Sequence, residues 1–185
     1  MLKTILSYGL GAVGLIMLLL AVTQVAAANL NYASARYTLI NMLRSSPNQA
    51  EMVTKSIPMT FFEPLHAVIK TLAMCRSNDP VLISKTAPPT YDGNCAGVTG
   101  KWAAIMVKAK LALMAVGGGL AIGLSKDDFP ILLTIVSALA GGAFLWIYVK
   151  KTDTDKSMLR ARADILPEVE RAFVEGRYIL PPPPQ

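Results

Sequence analysis

The chain has 185 residues, of which 53% are hydrophobic and only 16% charged, and its mean hydropathy is +0.44. That balance excludes an ordinary soluble domain and leaves room for a few membrane spans plus one small domain. The net charge of +6 and pI near 9.4 belong to the aqueous parts, because the charges lie outside the long apolar stretches. Basic cytoplasmic loops account for them without a nucleic-acid partner.

The first 35 residues are expected to hold the first transmembrane helix. Residues 4 to 35 carry no charge, and Ile5 to about Ala27 gives roughly 34 Å of helix, enough to cross a bilayer with modest tilt. Ser7, Gly11 and Gly14 recur at helical spacing, a small-residue face on which another helix can approach closely. A second reading takes residues 1–27 as a secretory signal, with Val25-Ala26-Ala27 as an A-x-A-like cleavage site. The apolar run is longer than the about 7–15 residues of such a signal, which favours a span.

Residues 36–101 have the punctuation of a small helical domain. Tyr37, Ile40 and Leu43 are spaced along one helix, and the next is expected from Pro47 to about Lys55 with Ser46 as N-cap. Thr60 followed by Glu63 matches a capping box and opens a helix that buries Phe62, Leu65, Val68, Ile69 and Leu72. Asp79-Pro80 starts a short turn of helix over Val81–Lys85, and 87–94 (APPTYDGN) reads as a turn-rich break. A helix resuming near Asn94 or Val98 runs on through Trp102.

Residues 102–149 are expected to form a transmembrane hairpin. The second span has fifteen uncharged residues between Lys110 and Lys126, roughly 22 Å, lengthened where Lys108 and Lys110 snorkel outward. Ala115, Gly119 and Gly123 repeat every four residues as its helix-packing face. The third span, Phe129 to Val149, has Pro130 in its first turn and Trp146 and Tyr148 near the headgroup belt. Ser125-Lys126-Asp127-Asp128 leaves room only for a tight turn. Thr134 and Ser137 are the hydroxyls of the third span placed to line a polar seam, with back-bonding to the helix as the duller role.

In the tail, 150–185, Leu159, Leu166, Val169 and Phe173 form an amphipathic stripe. Pro167 is expected to restart the helix, Gly176 to end it, and Pro181–Pro184 to form a short polyproline II stub. Such a helix needs a surface to cover, either the 36–101 domain or a neighbouring subunit. The predicted class is therefore an all-α membrane protein with three transmembrane helices, a small helical cytoplasmic domain and an amphipathic C-terminal helix.

Orientation follows from the basic residues. Segment 28–110 carries nine Lys and Arg and the tail seven, against one in the N-terminal stretch and one in the hairpin turn. This predicts an inner (plasma) membrane protein with the N-terminus outside and the loop and tail in the cytoplasm. There Cys75 and Cys95 stay reduced. Two Cys and the single His66 fall short of a structural zinc shell, so no metal and no cofactor are expected. Gly117-Gly118-Gly119 is followed by Leu120, not by a phosphate-binding Gly-Lys-Ser/Thr. No nucleophile–base pair is legible and no catalytic residue is assigned; the chain does not read as an enzyme.

This layout, together with Pro64-Leu65-His66-Ala67-Val68-Ile69-Lys70 followed by Asn78-Asp79-Pro80, resembles the MotA/TolQ/ExbB proton-channel family over about residues 5–175. The resemblance implies a homo-oligomeric ring around a single-span partner protein that brings the titratable carboxylate, which fits the lack of an acid within the spans. That family places a pore-facing Thr near the outer end of its second span; here the glycines are present and the threonine is not. Two readings follow: a motor- or proton-channel-like subunit, or a structural or accessory subunit that anchors a larger complex without transport.

Overall fold

The structure, a computed structural model, describes residues 2–124 and 131–177. The Ser125–Asp128 connector, Pro130 and the Pro181–Pro184 stub lie outside the described residues. Among the described residues there are seven helices and no strand: α1 Leu2–Ala26, α2 Tyr32–Ser45, α3 Pro47–Ser56, α4 Phe62–Cys75, α5 Pro80–Leu124, α6 Ile131–Asp164 and α7 Leu166–Val174. They form two compact units, one of Met1–Ala27 with Trp102–Thr152, the other of Ala28–Lys101 with Asp153–Gln185.

The first unit holds the apolar stretches. On α1 the buried positions are Ser7, Gly11, Gly14, Leu18, Ala21 and Val25, alternating steps of four and three. On α5 they are Ala109, Ala112, Val116, Gly119 and Gly123, and on α6 Leu133, Ala140 and Ile147, seven apart. A repeat of 3.5 residues is the signature of helices packed side by side along a left-handed seam. Outside the seam the surface is greasy: Ile5, Ile16, Leu20, Met114, Ile131, Leu132 and Leu139 are all exposed. Only 28%, 33% and 17% of the apolar windows of the three long helices are buried. A protein core therefore does not account for this hydrophobicity. These three helices are long and apolar enough to cross a membrane, as a multi-pass membrane protein requires.

In the second unit, local chemistry sets each helix start. The Asn31 side-chain oxygen accepts from the Ala33 N–H at 3.0 Å and so opens α2 at Tyr32, four residues before the sequence pattern places it. Pro47 sits in the first turn of α3, while Ser46 occupies the N-cap without a side-chain bond. At α4 the capping box is displaced by one residue: the Phe62 N–H donates to Thr60 Oγ1 at 3.3 Å, and the Glu63 carboxylate accepts from Met59 N–H at 2.9 Å. Phe62, Leu65, Val68, Ile69 and Leu72 are all buried, as the spacing predicts. Arg76 closes α4 in the left-handed conformation (φ 48°), and Asp79 Oδ1 accepts from Val81 N–H to open α5.

The sequence reading needs two corrections here. The break expected over 87–94 is helix, and α5 runs on through Pro88 and Pro89. Each interior proline removes a backbone donor and costs about 3 kcal/mol. Ile83, Ala87, Tyr91 and Val98 are buried on one side of the helix, and the Tyr91 hydroxyl donates to the Met158 carbonyl at 2.8 Å. That continuous packing offsets the penalty.

The second correction concerns Leu159, which is 72% exposed. Thr154, Met158, Ala161 and Ile165 form the buried stripe. α6 runs on past Lys150 without a stop, so this stripe belongs to a helix already under way and has no start of its own. Pro167 then starts α7, which buries Leu166, Val169, Ala172 and Phe173 and packs on α2 and α4. The Arg44–Glu168 ion pair at 2.8 Å ties α2 to α7, and Gly176, at φ 67°, follows the end of α7.

Candidate functional site: a small-residue seam and a buried hydroxyl

The seam is built where side chains are smallest. A Cβ added to Gly14 would stand 2.6 Å from the Ala112 carbonyl oxygen and 3.0 Å from Val116 N; one added to Gly119 would stand 2.6 Å from the Ser7 carbonyl oxygen. One added to Gly11 would meet Leu133 Cδ2 at 2.9 Å. Backbone thus touches backbone, which only glycine allows. The Ser7 hydroxyl uses this proximity to donate to the Gly119 carbonyl at 2.7 Å, a buried bond between α1 and α5.

Of the residues singled out by sequence, Gly119 lies against Gly11 and Ser7, Gly14 lies against Ala112 and Val116, and Gly123 is buried on the same side of α5. Ala115 is half-buried beside the seam; the neighbours of Gly14 are Ala112 and Val116. The four-residue pattern from 115 to 123 and the seam share Gly119 and Gly123 and diverge by one position before them, where Val116 rather than Ala115 is buried. Gly117, Gly118, Gly141 and Gly142 have no atom within reach of an added Cβ.

Thr134 and Ser137 are both half-buried on α6. Thr134 is partnered. The Ser137 Oγ is buried and has no hydrogen-bond partner. A hydroxyl left unpaired away from water costs about 1–3 kcal/mol. No charged residue lies in 4–26, 111–124 or 131–149, and the electrostatics of these helices are those of hydroxyls and backbone alone.

Sequence reasoning missed a cavity in the second unit. It measures about 320 Å³ and is lined by Tyr91, Asp92, Cys95, Met158 and Arg162, with the Arg162–Asp92 ion pair at 2.8 Å. The expected break at 87–94 had placed Tyr91 and Asp92 in a loop. Burial raises the Cys95 thiol to about 11; a hydrogen bond with Tyr91 opposes it, and the smaller effects of the Asp92 carboxylate and the Arg162 guanidinium pull in opposite directions. At neutral pH it is a thiol, not a thiolate nucleophile. Cys75 is exposed, and both cysteines are free. His66 lies 3.4 Å from Thr54 Oγ1. Among the described residues no three of His, Cys, Asp and Glu gather as a metal site would need. No protein family, curated protein or solved structure matches the chain.

Proposed function

We propose that this chain is an integral inner-membrane subunit of a multiprotein complex, whose three spans anchor a helical cytoplasmic domain made from both the long loop and the tail. The observation that carries the reading is the seam. Gly14 and Gly119 are consumed by contact between α1 and α5 within one chain, so this small-residue face is not left for a neighbouring subunit. The outer surface of the spans is left for lipid and neighbouring subunits.

The orientation proposed is N-terminus outside, loop and tail inside. Residues 28–101 and 153–185 fold into one unit, so they share a compartment, and together they hold most of the Lys and Arg. An impermeant maleimide tests it: Cys75 is labelled only after the cells are opened. Labelling of intact cells overturns the topology.

A second reading is favoured by one observation. The unpartnered Ser137 hydroxyl in an otherwise uncharged span suits a motor- or proton-channel-like homo-oligomer in which a single-span partner supplies the titratable acid. Purification in mild detergent separates the two. A co-purifying one-span protein with a membrane-embedded Asp, and proton flux that falls in Ser137→Ala, supports the channel. A stable complex without such a partner and without flux supports the anchor.

A further inference from the structure

Resting on the membrane reading above, we propose that Lys108 and Lys110 bind anionic phospholipid headgroups on the lipid-facing surface of α5, below the general level of the interface. The contacts of the first unit set the depth. Gly14 abuts Ala112 and Val116, and Gly11 abuts both Gly119 and Leu133. Consecutive spans run antiparallel and rise about 1.5 Å per residue, so counting from Gly119 and Leu133, which both lie against Gly11, puts Lys110 level with Gly142 and Lys108 level with Phe144. The basic pair Lys150-Lys151, which closes the third span, lies a further six to nine residues along, about 9–14 Å away.

Both lysines are exposed, and neither has an ion-pair partner among the described residues. Around them on α5 stand Val107, Leu111 and Met114, 57%, 49% and 65% exposed. An ammonium group among lipid-facing apolar side chains must find an anion or water. Side chains leave a helix tilted toward its N-terminus, which on α5 is the Trp102 end, so both stems run toward the nearer interface. A lysine reaches roughly 6 Å, about half the depth to be covered. The headgroup phosphates must dip to cover the rest.

The apolar lengths agree. The second span offers only residues 111–124, about 21 Å, whereas 131–149 on α6 offers about 28 Å. The bilayer is therefore thinned on the α5 side, beside two cations. Two residues apart on a helix, the lysines point about 200° from each other, so no single partner helix can meet both. Lipids surrounding α5 can. A headgroup with net negative charge is preferred, because a zwitterion would bring its own ammonium against the lysines.

The test uses the full chain in nanodiscs of equimolar phosphatidylcholine and phosphatidylglycerol, with the lipids retained after partial delipidation identified by native mass spectrometry. The wild type should enrich phosphatidylglycerol. A juxtamembrane lysine is worth about fivefold, so Lys108→Gln with Lys110→Gln should lower the enrichment by about thirtyfold. The matching Arg pair should keep it, which separates charge from a folding defect. Equal enrichment in wild type and the Gln pair overturns the proposal. So does loss of a co-purifying acidic protein from the Gln pair with lipid retention unchanged. Failure of the wild type to resist alkaline extraction from phosphatidylcholine vesicles would instead remove the membrane reading itself.

Discussion

Two glycines separated by one position, Gly119 and Gly117, or adjacent, Gly119 and Gly118, should respond to alanine in opposite directions. A methyl on Gly119 falls 2.6 Å from the Ser7 carbonyl oxygen and 3.1 Å from Gly11 N, where ordinary contact begins at 3.4 Å. Backbone cannot rotate away, so α1 and α5 must separate by about 0.8 Å, the gap between those two distances. That shift lengthens the Ser7–Gly119 hydrogen bond from 2.7 Å to the limit of bonding. Overpacking costs about 1–3 kcal/mol and the lost interhelical bond about 0.6–1.7 kcal/mol. The better helix propensity of alanine returns about 1 kcal/mol. Gly119→Ala should therefore lose about 0.6–3.7 kcal/mol. Gly118→Ala, with open space around it, should gain up to about 1 kcal/mol from propensity alone. The assay is equilibrium unfolding in mixed dodecyl maltoside and SDS micelles, followed by far-ultraviolet circular dichroism. If Gly119→Ala proves at least as stable as Gly118→Ala, α1 does not pack on α5 as described and the seam argument fails.

Further outcomes are expected from the second unit. Tyr91→Phe removes a buried bond to the Met158 carbonyl and should destabilise by about 1–2 kcal/mol, the cost of a carbonyl left unpaired; chemical denaturation of the purified protein measures it. Exposed Cys75 should react with maleimide at neutral pH well before Cys95, whose reactivity should climb only as pH approaches about 11; single-cysteine variants read out the two rates. Burial alone would raise Glu63, but hydrogen bonds from Lys101 and the Met59 N–H outweigh it and hold the carboxyl below its usual value; Arg44 does the same for Glu168. A carboxylate depressed in the folded state contributes stability above its unfolded value and loses it as pH falls through the folded one. Thermal stability should thus hold above about pH 5 and drop below the ordinary Glu range near 4.3. Glu63→Gln should flatten part of that drop, and an unchanged pH profile in this variant would contradict the assignment.

How much of this was legible in one dimension differs from element to element. The core face of α4 could be read off because Phe62, Leu65, Val68, Ile69 and Leu72 repeat at helical spacing inside one short segment, and the structure buries all five. The same method misplaced Leu159, because the tail helix has no start of its own; α6 is continuous from Ile131 to Asp164. Local punctuation also misled at Pro88-Pro89. Turn chemistry there is real, but it was outweighed by contacts from residues some seventy positions away, such as Tyr91 with Met158. In the seam, Gly14 meets Ala112 and Val116 while Ala115 is half-buried beside them, since a run of small residues does not say which of them meets glycine.

By itself the sequence determined that this chain is helical, that three of its stretches are long and apolar enough for a bilayer, and where its charges cluster. Those properties follow from composition and local spacing, which act on a few neighbouring residues at a time. Only the tertiary structure decided that α1 and α5 meet backbone to backbone, that loop and tail form one unit, and that the Ser137 hydroxyl is left without a partner. Each depends on pairs far apart in the chain, whose energies arise from close packing and appear nowhere in the local pattern.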